Sequence, residues 1–225
     1  MSPPGRHPWP TPPSTCSSTT ASATCWPERS AGTIVPRAPP RPRSTRRPSG
    51  PPEGPCLSDP VLAAFAASLR GPNLRVPDFD PLDGGRAARV LLLLEKPGRH
   101  STLVSRDDPT PTARAIAAAL AEAGLPRGET VLWNVVPAWN GTPKVTAPEV
   151  RQGLQHLARL LPLLPRLDAA ILAGSHATRA EPLLRHLRVV RTVHPSPNVR
   201  AAFPEAWAAI PGAWAEARSG ARVPT

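Results

Sequence analysis

Hydrophobic positions along this chain fall into two regimes that meet near residue 58. Over residues 1–57 the apolar side chains follow neither a helical nor a strand period. From about residue 60, short all-apolar runs alternate with longer stretches in which apolar residues recur every three or four positions. Residues 61–69 predict an opening helix, with Val61, Leu62, Phe65 and Leu69 at helical spacing. Residues 89–95 are almost wholly apolar, the signature of a parallel strand buried on both faces. Residues 110–123 predict a helix capped by Thr110, with Pro111 in its first turn, Ile116 and Leu120 on one face and Gly124 after its end. A second strand over 130–136 runs into a loop containing Pro137, Asn140, Gly141 and Pro143. Thr146-x-x-Glu149 reads as a capping box opening a helix with Val150, Leu154, Leu157 and Leu161 on one face, closed by Pro162 and Pro165. A third strand spans 168–173, Gly174-Ser175 leads into a helix to about residue 187, a fourth strand spans 188–193, and a last helix covers about 204–218.

Strand–helix alternation with long crossovers predicts an α/β fold: a three-layer sandwich around a central, mostly parallel four-stranded sheet, occupying residues 58–225. Ligands bind such sheets at the carboxyl ends of the strands. Chemistry is therefore expected just after Leu94, Val136, Ala173 and Val193. No internal repeat is present.

Composition sets the first 57 residues apart. Of the 34 prolines, 15 fall there, among Ser, Thr and Arg. Such a segment cannot bury enough apolar area to offset its ordering entropy and is expected to be a disordered tail. It has no apolar h-region, so no signal peptide is expected. The net charge of +11 divides into +5 for 1–57 and +6 for the remainder, a balance that suits a polyanion such as nucleic acid. Arg outnumbers Lys 25 to 2, which GC-rich coding would also produce. The three cysteines, Cys16, Cys25 and Cys56, match no zinc or iron–sulfur spacing. The longest aliphatic run, 90–94, is far too short to cross a membrane. The expectation is a cytoplasmic monomer without metal or organic cofactor.

Three segments carry candidate chemistry. The first strand ends in Glu95-Lys96-Pro97-Gly98-Arg99-His100-Ser101, where a charged pair must emerge at the sheet mouth. Pro97-Gly98 then turns the chain and presents backbone N–H groups, either for a ligand or as a plain turn. Asn134 interrupts the apolar second strand. A buried amide needs partners, and its donor and acceptor complement one edge of a pyrimidine, or else tie two loops together. The fourth strand ends in His194-Pro195-Ser196-Pro197-Asn198, a loop stiffened by two prolines. His194 there can donate to a developing oxyanion, or be a satisfied histidine at a sheet edge. His100, His156, His176 and His186 have no recognisable partner in the pattern.

In this order, Leu94-Glu95-Lys96-Pro97-Gly98, Asn134 within Trp-Asn-Val-Val-Pro, and His194-Pro195-Ser196-Pro197 resemble the motifs of the uracil-DNA glycosylase superfamily. The likeness extends through Val76-Pro-Asp-Phe-Asp-Pro, Ser105-Arg106-Asp107-Asp108 and Phe203-Pro-Glu-Ala-Trp207, covering roughly 60–218. The resemblance implies a DNA-repair enzyme that extrudes a damaged nucleotide and hydrolyses its N-glycosidic bond, without cofactor. Asn134 would pair with uracil O4 and N3–H, and His194 would stabilise charge on O2 of the departing base. Glu95, Asp107 and Asp108 are the carboxylates left to act on water. Lys96, Pro97, Gly98, Leu103 and Ser196 would line the base site, with Leu103 where an aromatic usually stacks. Pro195, Pro197 and Asn198 would contact DNA, and Val199 or Arg200 would wedge into the vacated space. Lys96 stands where several families place Asp or Asn before the proline; it would keep Glu95 ionised or meet a phosphate. Glu95 matches the branch with a Gly-Glu-Ala-Pro-Gly motif, whose iron–sulfur cysteines are absent here.

Other readings start from the same residues. A non-catalytic module could keep the pocket and bind lesions; it is favoured if neither Glu95, Asp107 nor Asp108 reaches the pocket. A hydrolase using Ser196 with His194 is disfavoured, because residues two apart in a proline-locked loop share a proton poorly and no Gly-x-Ser-x-Gly occurs. A nucleotide-binding domain lacks both Gly-x-Gly-x-x-Gly and a P-loop.

Overall fold

The computed structural model describes residues 59–218. The expected tail over 1–57 and all three cysteines lie outside the described residues.

The chain begins with α1 (Pro60–Ser68), whose first turn is closed by the Asp59 carboxylate accepting from Val61 N at 3.0 Å. Four five-residue strands follow in the predicted places: β2 (Val90–Leu94), β4 (Thr130–Asn134), β5 (Ala169–Ala173) and β6 (Arg188–Thr192). They form one sheet in the order β4-β2-β5-β6, every pair parallel. Successive side chains along a strand point to opposite faces, and every residue of β2, β4 and β5 is buried. Both faces are therefore covered, as expected for a sheet joined by helical crossovers. Between the strands lie α2 (Pro111–Glu122), capped by Thr110 Oγ1 accepting from Ala113 N at 3.1 Å, and α3 (Ala147–Leu160). The Thr146–Glu149 capping box is complete: Glu149 Oε2 accepts from Thr146 N at 2.8 Å, and Thr146 Oγ1 accepts from Glu149 N at 3.4 Å. No helix among the described residues is long and apolar enough to cross a membrane.

Four local features depart from the periodicity. A two-residue strand β1 (Asp78–Phe79) pairs in parallel with β3 (Leu103–Val104), forming a second, small sheet. Phe79 stacks on Trp133 of β4 at 4.2 Å, so this sheet is fastened to the large one by an aromatic contact that strand periodicity does not reveal. The predicted helix after Gly174 is a run of 3-10 turns over Ala177–Leu183, because Pro182 has no N–H to give an α-helical ladder. The His-Pro-Ser-Pro loop turns directly into an unforeseen helix, α4 (Pro197–Ala202). The last predicted helix is split into α5 (Pro204–Ala208) and α6 (Ile210–Ala215), with Pro211 unable to donate back across the break.

Candidate active site

The sheet order places the ends of β4, β2, β5 and β6 side by side along one edge. Backbone bonds continue the ladder past the strands: Val135 N donates to Leu94 O at 2.8 Å and Val136 N to Glu95 O at 2.9 Å. Gly174 N donates to Thr192 O at 2.9 Å. Asn134, Glu95, Gly174 and His194 are thereby set on neighbouring strand ends, in that order.

Asn134 is 3% exposed, yet its side chain makes no hydrogen bond to any described residue. The amide atoms are not among the buried polar atoms sealed off without a partner, so they stay open to a ligand with a matching donor and acceptor. Its position depends on Gly153 of α3. A Cβ there would fall 2.8 Å from the carbonyl carbon of Val135, so only glycine lets the helix pack on the segment that follows Asn134.

Glu95 lies beside Gly174. Its Oε1 accepts from His176 N at 3.0 Å, and a Cβ on Gly174 would come within 2.5 Å of that oxygen. Gly174 also sits at φ +105°, a conformation that L side chains avoid. Burial pushes the His194 imidazole below its ordinary value, and the charge of Glu95 opposes that shift. Burial thus favours the neutral ring, and Glu95 is close enough for its charge to act on it. Pro195 and Pro97 are buried, fixing both loops, while Gly98, Pro197 and Asn198 are exposed and Ser196 and Val199 half-buried. Leu103 sits half-buried on β3. The Arg200 guanidinium carbon lies over the Trp207 ring, 4.8 Å from its centroid.

Two expected site residues are held elsewhere. Lys96 Nζ donates to Glu149 Oε1 at 2.8 Å, Asn140 Oδ1 at 2.9 Å and the Lys144 carbonyl at 3.0 Å. An ammonium has three protons, and all three are engaged. Lys96 thus clamps the loop after β4 to the start of α3 rather than serving Glu95 or a phosphate. Burial acts to raise the pKa of Glu149, but the bonds from Lys96 and Thr146 outweigh it and hold the carboxyl below its usual range. Asp107 is bound by Arg127 Nη1 at 2.6 Å, in a cluster with Asp80, Asp83 and Arg106. Arg106 reaches the hydroxyl of Thr130, the first residue of β4. This cluster therefore gathers at the start of β4, and the Asp107 carboxylate is engaged there by Arg127. Asp108 is nearer the first motif loop and accepts from Ser101 Oγ at 3.1 Å. Of the three candidate carboxylates, Glu95 is the one brought to His194.

Sequence reasoning missed the His176 backbone N–H and the cradle at Gly174. A glycine directly after a strand was the available signal. Among the described residues, no group of three or more His, Cys, Asp or Glu side chains is placed to hold a metal. In a comparison with protein-family models, residues 82–217 match the one described as the Uracil DNA glycosylase superfamily. No curated protein matches the chain.

Proposed function

The chain belongs to the uracil DNA glycosylase superfamily, and on that premise we propose that it excises uracil, or a related deaminated base, from DNA by hydrolysis of the N-glycosidic bond. Membership carries a glycosylase-type hydrolase, DNA as partner and a place in DNA repair at the level of the family. The observation that carries the finer reading is the unpartnered, 3%-exposed Asn134 amide on the strand-end row that also holds His194 and Glu95. An extruded uracil would offer O4 to the amide N–H and N3–H to the amide oxygen; cytosine presents the reverse pattern at the exocyclic position. The neutral His194 ring donates one N–H to O2, where negative charge grows as the bond between the sugar carbon and N1 breaks. The bonding pair leaves with the base. Glu95 orients the water whose oxygen bonds to the sugar carbon, and the water's proton ends on the departing base or the carboxylate. The products are free base and an abasic site. Asp107 and Lys96 have no part in this scheme. The protein would act as a cytoplasmic monomer.

Oligonucleotides containing uracil, hypoxanthine or xanthine, single- and double-stranded, followed by alkaline scission, test the reading. Scission with at least one substrate, lost in His194→Ala and Asn134→Ala, is the expected result. Binding of these DNAs without any scission would instead support lesion recognition alone.

A further inference from the structure

A groove of about 320 Å³ opens between the start of α2 and the corner formed by α4 and α5. Pro195 and Pro197 form part of its wall, and Pro195 directly follows His194 in the chain. Its remaining features are Pro111, Arg114, Arg200 and Trp207. We infer that this groove is a subsite for the nucleotide adjoining the extruded one, with its phosphate held between Arg114 and Arg200. The inference rests on the proposed action on DNA and adds a substrate contact that none of the three motifs contains, Arg114.

Charge is the first reason. Five arginines of the described domain are tied up in ion pairs: Arg70 with Asp78, Arg89 with Asp168, Arg106 with Asp83, Arg127 with Asp80 and Arg191 with Glu181. Arg114 is exposed and its side chain has no hydrogen-bond or ion-pair partner among the described residues. Arg200 has only the face of Trp207. Two uncommitted guanidinium groups thus border one groove with no acidic residue in its lining. Guanidinium forks match phosphate oxygens. The 12-residue α2 starts at Pro111, so its positive end adds to the field.

The walls supply the second reason. Prolines and the Trp207 ring with Arg200 over it offer apolar surfaces suited to a sugar or base face. The indole N–H of Trp207 is buried without a partner among the described residues. By contrast, the cleft of about 260 Å³ lined by Asp59, Asp78, Asp80 and Asp83 has no basic residue in its lining. Charge thus favours the groove over this cleft for a polyanion.

Anisotropy of a fluorescent single-stranded oligonucleotide carrying a tetrahydrofuran abasic analogue tests the subsite. Arg114→Gln is expected to bind about 10-fold more weakly and to lower the slope of log K against log salt by ~0.7, one single-strand phosphate contact. Arg200→Gln should behave similarly, and Arg114→Lys should restore the salt slope. Shortening the strand to end at the analogue on the groove side should make variant and parent bind alike. Arg114→Gln with parental affinity and slope, while the parent binds DNA, overturns the subsite and leaves the glycosylase reading intact. A parent protein that neither binds nor cuts any of these DNAs overturns the glycosylase reading and the subsite with it.

Discussion

Replacing Gly174 by alanine probes the seat of Glu95 directly. At φ +105° an L residue is strained by about 1–3 kcal/mol. The new Cβ would stand 2.5 Å from Glu95 Oε1 and 2.8 Å from its carboxyl carbon, where ordinary contact begins at 3.4 Å, so the carboxylate must withdraw by about 0.9 Å. That withdrawal breaks its bond from His176 N, and hydrogen bonds to charged groups are worth about 1.5–3 kcal/mol. Urea unfolding of Gly174→Ala should therefore show a loss of about 2.5–6 kcal/mol, the sum of these two effects. In a Glu95→Ala background the carboxylate is gone and only the backbone strain remains, so the same substitution should cost about 1–3 kcal/mol. Single-turnover excision should fall on the order of 10²-fold, because a displacement near 1 Å at a reacting group has that effect. Equal destabilisation in the two backgrounds would refute the cradle. Unchanged excision by a folded Gly174→Ala protein would refute a catalytic role for Glu95 in this position.

Further outcomes follow from the same geometry. Gly153→Ala should push α3 off the Val135 backbone, destabilising the domain by about 1–3 kcal/mol and reducing excision through Asn134; calorimetry and a single-turnover assay read both. Asn134→Ala should fold normally by circular dichroism and lose uracil discrimination. Asp83, with its side chain 1% exposed, has its pKa raised to about 6 by burial, against the pull of Arg106 and Arg127. Its native state holds the proton more tightly than the unfolded chain, so its contribution is fullest below pH 3.8 and is lost as pH rises through 6. Relative to the parent, Asp83→Asn should then gain about 2 kcal/mol in unfolding free energy between pH 4 and 7, measured by urea titration at each pH. His194 has the opposite sign: its depressed pKa gives stability that is present above pH 6.5 and lost as pH falls, and His194→Gln should flatten that limb.

The four strands and the crossover helices were legible in the sequence because each carries its own signal. An all-apolar run such as residues 90–94 can be buried only on both faces, and Thr110 and Thr146 with Glu149 mark helix starts through purely local hydrogen bonds. The three motif segments were legible for the same reason, each lying at the end of a readable strand. Asn134 stood out as a polar interruption of β4 and lies buried at the strand's end. What the sequence could not decide is which charged groups meet across the fold. Lys96 follows Glu95 in the chain, yet its ammonium pairs with Glu149, 53 residues away, while Glu95 turns to the backbone of His176, 81 residues away. Asp107 sits in a motif-like segment, but its carboxylate pairs with Arg127, 20 residues away. Side chains adjacent in sequence leave a strand end on opposite faces, so their partners are chosen by the packing of distant elements. Local periodicity determined the sheet and its mouth; tertiary contacts alone decided that Glu95, of the three carboxylates, stands beside His194.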